Sequence, residues 1–408
     1  MQALGEVIVN KKAENLLKSG HLWVYGEEIL ETTPNIQNGD IVYIYSPKHR
    51  YLGAGFYNCT SKITVRLLSD NANDIFDKAF FARRIKYAVE YRKTVMRGDL
   101  SCTRLIFGDA DMLPGLIADK FGPVLVTQTM CLGMELRKDM IFPALIDLLR
   151  ADGEEISVLF ERNDVAVREK EGLRQYKGYY NYTDLQTERD GINGSVEINE
   201  NGIRYVVDYI NGQKTGFFLD QKFNRIAAAK IAAGKNVLDC FTHTGAFALN
   251  CAAAGAKHVT AVDVSEDAVN MSRKNAALNK IQNIDFLQAD VFDYLTALEK
   301  NSHKPFDYII LDPPAFTKSN ATVTSAYRGY KDINLRAMRL LPRGGYLATC
   351  SCSHFMTEDL FRKMLHDAAT DAKVRLKIIE TRKQAKDHPI LLGVPETEYL
   401  KFYIAQVI

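Results

Sequence analysis

The chain has 408 residues and a formal net charge of +2, with 47% hydrophobic and 25% charged residues, which is ordinary for a globular protein of about two or three domains. No run of about 18 apolar residues predicts a transmembrane helix, and the first residues lack the basic and apolar segments of a secretory signal. The seven cysteines are scattered and odd in number, so we expect a reducing, cytoplasmic location rather than a disulfide framework.

Residues 1–70 are expected to form a small β-rich domain. Runs of β-branched and aromatic residues at 40–46, 51–58 and 62–69 predict three strands, because turn-forming sequences such as NGD and SPKH separate them. The segment KAENLLKSG precedes these strands and predicts one helix that ends at Gly20, since glycine readily adopts the left-handed conformation common at helix ends.

Residues 74–190 are expected to form a second domain of the α+β class. It begins with a helical stretch at 74–97, in which residues 82–97 contain six basic residues and a single acidic one. Such a basic patch is typical either of a solvated helix face or of a nucleic-acid contact. The stretch 151–190 is dense in charged residues and tyrosine and is expected at the surface.

Residues 192–408 alternate between predicted strands and helices. Apolar runs that end in polar residues stand at 236–241, 258–265, 284–290, 306–314 and 344–353, separated by amphipathic stretches such as 266–280. This alternation predicts a doubly wound, mainly parallel α/β sheet, which the segments 374–380 and 399–408 complete as a closing hairpin. Ligands of such sheets bind beyond the carboxyl ends of the strands, so the polar strand ends mark the expected site.

Three acidic residues at successive strand ends, Asp239, Asp263 and Asp290, indicate the type of ligand. Asp263 is suited to ribose hydroxyls and Asp290 to an adenine amino group, while Gly245 would let the backbone approach a ligand closely. No glycine-rich phosphate-binding series is present, which disfavours a dinucleotide. The pattern predicts a nucleoside-bearing ligand such as S-adenosylmethionine; the alternative is that the acids cap helices.

Longer motifs carry a family resemblance. VLDCFTHTGAF, AVDVS, QADVFDYL and DYIILDPPAF resemble the ordered motifs of class I S-adenosylmethionine-dependent methyltransferases. LIFGDADMLPGLIADKFGPVLVTQ, ENGIRYVVDYINGQKTGFFLDQKFNR and DHPILLGVPETEYLKFY are similar to the bacterial 23S ribosomal RNA large-subunit cytosine-C5 methyltransferase family. This resemblance covers nearly the whole chain.

The resemblance implies a fold and a partner. In that family a PUA domain, a middle α+β domain and a Rossmann-like methyltransferase domain follow one another, so the boundaries expected here are 1–70, 74–190 and 192–408. A PUA domain implies binding of structured RNA. The expected partner is therefore 23S rRNA or a large-subunit assembly intermediate, with no membrane; the oligomeric state, a homodimer included, is left open.

The resemblance also implies residues that bind the cofactor. The motif FFLDQKFNR resembles the segment that lines the methionine end of S-adenosylmethionine in relatives. The complete set expected to bind the cofactor is Phe218, Asp220, Arg225, Asp239, Thr242, Gly245, Asp263, Asp290 and Asp312.

Carbon 5 of a cytosine is too weak a nucleophile to take a methyl group unaided. In one solution a cysteine thiolate adds to carbon 6, carbon 5 attacks the methyl group, a base removes the carbon-5 proton and the thiolate leaves. Asp312 in LDPPAF is expected to hydrogen-bond the target base and pass a proton to its ring nitrogen. Pro313 and Pro314 stiffen this loop and present backbone carbonyls to the substrate.

The thiol is expected in ATCSCSHFM, because the DPPAF loop contains no cysteine. Cys352 is the predicted nucleophile, since it lies further toward the carboxyl end of the strand than Cys350, which is expected to pack inside it. Its position seven residues after Gly345 resembles the spacing in related RNA cytosine methyltransferases. A metal site is not expected, as no second ligand cluster stands nearby, and a disulfide would be strained.

Three alternatives stay open. Acid-Pro-Pro-aromatic motifs resemble those of methyltransferases that act on exocyclic amines or ring nitrogens, in which Phe316 would stack on a flipped base and no cysteine is needed. A non-catalytic RNA-binding assembly factor would have a degenerate cofactor site, which the intact series of acids argues against. A small-molecule methyltransferase would leave the amino-terminal domains unexplained.

Overall fold

The computed structural model describes residues 5–187, 191, 193–300 and 305–408, and the chain divides into two compact units. The first unit comprises Met1–Ile198, Val207–Leu219 and Lys386–Thr397. The second comprises Asn199–Val206, Asp220–Ala385 and Glu398–Ile408. The chain therefore returns to the first unit twice before it ends in the second.

The amino-terminal part of the first unit is a six-stranded sheet with one helix. Its elements are β1 (Gly5–Val9), α1 (Lys11–Lys18), β2 (Trp23–Tyr25), β3 (Ile29–Thr32), β4 (Ile41–Tyr45), β5 (Tyr51–Tyr57) and β6 (Ile63–Ser69). The strand order is β2-β6-β5-β4-β1-β3. The three predicted strands correspond to β4, β5 and β6, and the predicted helix is α1, after which Gly20 adopts a φ of 94°.

The remainder of the first unit contains a five-stranded sheet. Its elements are α2 (Lys78–Val95), β7 (Cys102–Phe107), β8 (Leu116–Phe121), β9 (Val124–Thr129), α3 (Leu132–Glu135), α4 (Lys138–Ala151), β10 (Val158–Asn163) and β11 (Tyr176–Tyr179). The strand order is β11-β10-β9-β8-β7. The expected surface location of residues 151–190 is wrong for β10, which is buried throughout. Burial is tolerated because its charges are paired: Glu161 with Lys138 and Arg162 with Asp164, each at 3.0 Å.

The basic patch on α2 is partly structural. The side chain of Arg92 is completely buried, where it donates to the carboxylate of Asp111 at 2.5 Å and to the carbonyl oxygen of Asp387 at 2.8 Å. Lys86 and Arg97, by contrast, are exposed. Arg92 is therefore a core residue of this unit and does not belong to a solvated face.

Two further strands, β12 (Ser195–Glu200) and β13 (Ile203–Asp208), form a separate two-stranded sheet. The chain passes from one unit to the other within each of these two strands, because the boundaries fall after Ile198 and after Val206.

The second unit is a seven-stranded sheet covered by helices. Its remaining elements are α5 (Lys222–Ala232), β14 (Asn236–Cys240), α6 (Ala246–Ala253), β15 (His258–Asp263), α7 (Glu266–Leu278), β16 (Ile284–Gln288), α8 (Val291–Lys300), β17 (Tyr308–Leu311), α9 (Val323–Leu340), β18 (Tyr346–Ser351), α10 (Glu358–Asp371), β19 (Leu376–Arg382) and β20 (Lys401–Val407). The strand order is β16-β15-β14-β17-β18-β20-β19. The first five are parallel, and β20 pairs antiparallel with both β18 and β19. Within the described ranges, no helix has both the length and the apolar composition to cross a membrane.

The strand order reverses direction between β14 and β17. From β14 the chain proceeds outward through β15 and β16, and it then returns to place β17 on the other side of β14. The connections that follow β14 and β17 lead to opposite sides of the sheet, and this leaves a crevice at the carboxyl ends of the two strands. Ligands of such sheets bind in this crevice. The register pairs Cys240 with Leu311, so Asp239 and Asp312 lie at this crevice.

Candidate active site

Asp239, near the carboxyl end of β14, is a fully buried acid. Its Oδ2 accepts hydrogen bonds from Oγ1 of Thr242 at 2.6 Å and from the backbone N–H of Ala248 at 3.0 Å. Its Oδ1 is buried without a hydrogen-bond partner among the described residues. Desolvation raises the pKa of this carboxyl to about 7. A buried oxygen of this kind is costly unless a ligand satisfies it.

The loop between β14 and α6 has an unusual backbone. Phe241 and His243 have φ angles of 63° and 52°, and Gly245 has a φ of 82°. Positive φ angles are uncommon outside glycine, and such strain concentrates at functional sites. A Cβ on Gly245 would lie 3.2 Å from Cβ and Oγ of Ser272, so glycine is needed here for the close approach of α7. Cofactor binding through the backbone of Gly245 stays a prediction.

Asp263 and Asp290 both hold backbone amides. Asp263 accepts from the N–H of His243 at 2.9 Å and from that of Ser265 at 3.0 Å, and it thereby fixes the β14–α6 loop. Asp290 is exposed, and its Oδ1 accepts from the N–H of Phe292 at the start of α8. The helix-cap alternative therefore describes Asp290, while the ribose and adenine roles stay predictions.

The segment FFLDQKFNR divides between the two units. Phe218 is half-buried in the first unit, and Asp220 and Arg225 belong to the second. Asp220 accepts a hydrogen bond from the hydroxyl of Tyr399 at 2.7 Å. Arg225 forms an ion pair with Glu200 at 2.5 Å, and both side chains are buried. The guanidinium of Arg225 is thus compensated by a protein carboxylate.

Asp312 follows β17 and is half-buried. Its Oδ1 accepts hydrogen bonds from Sγ of Cys350 at 2.7 Å and from Nε2 of Gln221 at 3.1 Å. Its Oδ2 accepts from none of the described residues. Desolvation raises the pKa of Asp312 to about 6, so this carboxyl can exchange a proton near neutral pH.

The two cysteines of SCS have different surroundings. Cys350 is fully buried inside β18, and burial together with the negative charge of Asp312 raises the pKa of its thiol well above the ordinary range. Such a thiol stays protonated and is a poor nucleophile. Cys352 lies one residue beyond the end of β18 and is half-exposed, with Sγ 4.0 Å from the carbonyl oxygen of Pro313. Cys350 lies inside the strand as predicted, but it positions Asp312 and does not only pack.

The DPPAF loop continues into the core of the second unit. Pro313 is buried and Pro314 is exposed. The ring of Phe316 is half-buried and packs against those of Tyr330 and Phe292, with centroids 4.5 Å and 6.0 Å apart. The stacking of Phe316 on a substrate base stays a prediction, and its ring already has two aromatic neighbours.

Two residues at this site were missed by the sequence patterns. Gln221 stands directly after Asp220 and binds Asp312, which no local pattern indicates. Lys401 is 3% exposed, and its Nζ donates to the carbonyl oxygens of Ser353 at 2.5 Å and Tyr399 at 2.8 Å. A lysine inside the apolar run YLKFYIA is a detectable signal, but its partners are not readable from the sequence.

Comparison with known proteins identifies the family. Residues 189–393 match the family model of S-adenosylmethionine-dependent methyltransferases, and residues 7–70 match that of a PUA-like domain. Ribosomal RNA large subunit methyltransferase I of Aeromonas salmonicida is 41% identical over 397 residues, which cover 97% of each chain. The protein of that name from Klebsiella pneumoniae is 36% identical over 404 residues, or 98% of each chain. The chain belongs to this family of methyltransferases.

Solved structures share the fold of this methyltransferase. SMU.776 in complex with SAH has a TM-score of 0.82 at 23% identity, over 98% of this chain and 100% of that chain. A protein from Streptococcus mutans assigned as a SAM-dependent methyltransferase has a TM-score of 0.81, also at 23% identity and with the same coverage. The predicted fold class, an α/β class I methyltransferase preceded by a β-rich PUA-like domain, is confirmed.

The charges at the strand ends fit S-adenosylmethionine, the cofactor of this methyltransferase. The cofactor carries a positive sulfonium and a positive ammonium group. The negative charge of Asp312 adds to burial in raising the pKa of Asp239, so ionising both carboxyls without a nearby cation is unfavourable. A cationic ligand relieves this repulsion and can satisfy Oδ1 of Asp239.

Proposed function

We propose that this methyltransferase transfers the methyl group of S-adenosylmethionine to carbon 5 of a cytosine in 23S rRNA, with Cys352 as the covalent nucleophile. The observation that carries the proposal is the division between the two cysteines. Cys350 donates to Asp312, whereas Cys352 lies past the strand end beside Pro313. A methyltransferase for amines needs neither thiol. The names of the relatives and the RNA-binding character of PUA domains support the choice of ribosomal RNA.

S-adenosylmethionine supplies an electrophilic methyl group on a positively charged sulfur. We propose that Asp239 and Asp220 hold its positively charged methionine end, because Oδ1 of Asp239 lacks a partner among the described residues. Asp263 and Asp290 are assigned to the ribose and the adenine. The other proposed cofactor contacts are Phe218, Arg225, Thr242, Gly245 and Asp312.

In the proposed reaction the thiolate of Cys352 forms a bond to carbon 6, and protonated Asp312 gives its proton to ring nitrogen 3. Electron density from the carbon 5–carbon 6 double bond now makes carbon 5 nucleophilic, and carbon 5 forms a bond to the methyl group. The methyl–sulfur bond breaks at the same time, and its electron pair stays on sulfur, which leaves as the neutral thioether S-adenosylhomocysteine. A base then removes the carbon-5 proton, the sulfur–carbon bond breaks with its electron pair returning to sulfur, and nitrogen 3 releases its proton. Pro313, Pro314 and Phe316 are assigned to binding the target base.

Replacing Asp312 with asparagine is expected to lower the single-turnover rate by about 10²- to 10⁴-fold, because an amide cannot transfer a proton to nitrogen 3. The measurement is the rate of methyl transfer at saturating RNA and cofactor. The matched control is Asp285→Asn, which neutralises an exposed acid that pairs only weakly with His258 at the surface. Equal rates for the two variants would refute the proton-transfer role.

The proposal as a whole is tested by identifying the product. Undermethylated 23S rRNA is incubated with the protein and methyl-labelled S-adenosylmethionine, digested to nucleosides and separated by chromatography. All label is expected in 5-methylcytidine, and 16S rRNA serves as the control substrate. Label in N4-methylcytidine, a methylguanosine or a methyladenosine would favour the amine or ring-nitrogen alternative. Absence of cofactor binding by calorimetry would favour a non-catalytic assembly factor.

A further inference from the structure

Lys401 is a buried cation at the end of the sheet of the second unit. It is the first residue of β20 and pairs with Ser351, the last residue of β18. Its residue exposure is 3%, and no Asp or Glu of the described residues forms an ion pair with it. Burying an ammonium group without an ion-pair partner costs free energy. A negative charge that forms nearby during the reaction would lower this cost.

Two backbone carbonyl groups hold the ammonium group of Lys401, and one of them belongs to the residue next to Cys352. Nζ donates to the carbonyl oxygen of Ser353, the residue directly after Cys352, and to that of Tyr399. An ammonium group has three protons, so one remains after these two bonds. The side chain therefore has little freedom to move away from the chain segment that carries the proposed nucleophile.

Two carboxylates that act electrostatically on Lys401 share one other cation. Glu358 and Glu398 both form ion pairs with Lys383. Burial lowers the pKa of Lys401 to about 8. The thiolate of Cys352 opposes this shift more strongly than any other surrounding charge does. Lys401 thus responds to the charge of Cys352 more than to that of either glutamate.

Two other titratable groups, Cys350 and Tyr330, interact electrostatically with Cys352. Burial raises the pKa of Cys350 and that of Tyr330 well above their ordinary values, so both side chains are neutral at physiological pH. Neither side chain therefore offsets the interaction between the positive charge of Lys401 and Cys352.

We infer that Lys401 is a positioning residue that holds Cys352 as a thiolate by supplying the compensating positive charge. The inference rests on the proposed role of Cys352 as nucleophile. On formation of the thiolate the S–H bond breaks, its proton passes to water and the electron pair stays on sulfur. The same ammonium stabilises the sulfur when it leaves carbon 6 at the end of the reaction. A neighbouring cation is a general means of lowering the pKa of a thiol.

The test measures the charge state of Cys352 without RNA or cofactor. The full chain is alkylated with iodoacetamide across a pH series, and the Cys352 peptide is quantified by mass spectrometry. The native protein is expected to show a midpoint below the ordinary thiol value of about 8.5. In Lys401→Gln, which keeps a hydrogen-bond donor but loses the charge, the midpoint is expected to rise by about one pH unit, so that alkylation near neutral pH slows about tenfold.

Two further variants make the result specific. Lys401→Arg keeps the positive charge and is expected to restore most of the native midpoint. Lys331→Met removes a partly exposed charge that pairs with Asp371, and it is expected to leave the midpoint unchanged. A native midpoint at or above the ordinary thiol value, or equal midpoints in the native protein and Lys401→Gln, would overturn the inference. The alkylation midpoints do not depend on which base is methylated. The product assay could therefore contradict the proposed function while the alkylation result still supports the role of Lys401.

Discussion

Cys352→Ala is expected to lower methyl transfer to 23S rRNA by more than about a thousandfold, the order of loss that follows removal of a covalent nucleophile. Without the thiolate no bond forms at carbon 6, and carbon 5 stays too weakly nucleophilic to take the methyl group. Affinity for S-adenosylmethionine should change little, since none of the proposed cofactor contacts involves Cys352. Single-turnover rates and calorimetry measure these two effects separately.

Cys350→Ser is the matched control for this prediction. Serine keeps a hydrogen-bond donor toward Oδ1 of Asp312, so the rate is expected to stay within about fivefold of the native rate. RNA that contains 5-fluorocytidine adds a direct readout, because fluorine at carbon 5 prevents the final elimination and leaves the protein attached to the RNA. The covalent complex is expected in the native protein and in Cys350→Ser and absent in Cys352→Ala. The opposite pattern would assign the nucleophile to Cys350.

Asp239→Asn is expected to weaken the binding of S-adenosylmethionine by about 10- to 100-fold, since a hydrogen bond to a charged group contributes roughly 1.5–3 kcal/mol. Oδ1 of Asp239 is buried with no hydrogen-bond partner within the described ranges, and in the proposed complex it accepts from the ammonium group of the cofactor. Calorimetric titration of the protein with S-adenosylmethionine measures the effect.

The same substitution is expected to stabilise the protein in the absence of the cofactor. The pKa of Asp239 rises from 3.8 to about 7 on folding, so the contribution of this group to stability is complete below about pH 4 and is lost as the pH rises through 7. At about pH 8 the buried charge costs up to ~4 kcal/mol, while an unpaired amide in its place costs ~1–3 kcal/mol. The free energy of unfolding should therefore increase by roughly 1–3 kcal/mol at about pH 8.

Denaturant unfolding across a pH series checks the stability prediction. The advantage of Asp239→Asn should shrink on acidification and disappear below about pH 4, where the native carboxyl is protonated in both states. Asp285→Asn, at an exposed surface position, should follow the native curve at every pH. A variant that is less stable than the native protein at about pH 8 would show that the carboxylate is not strained in the cofactor-free state.

Many elements of the second unit were predictable because their signals are local. Each of the five parallel strands is a mostly apolar run with a polar residue at or next to its carboxyl end, and all five lie within the predicted segments. The dependence on local signals also explains why the expected surface location of β10 was wrong. β10 carries Glu161 and Arg162, and its burial depends on partners such as Lys138, 23 residues away, that no local pattern reveals.

The sequence by itself determined the alternation of strands and helices, the acids at the strand ends and the position of SCS at the end of β18. Only the tertiary structure decided what these residues contact, because the strand order brings together side chains far apart in the chain. It joins Cys350 to Asp312 across 38 residues, Gln221 to Asp312 across 91 and Lys401 to Ser353 across 48. The stretch of two cysteines thereby becomes a buried hydrogen-bond donor and a half-exposed thiol beside a buried lysine.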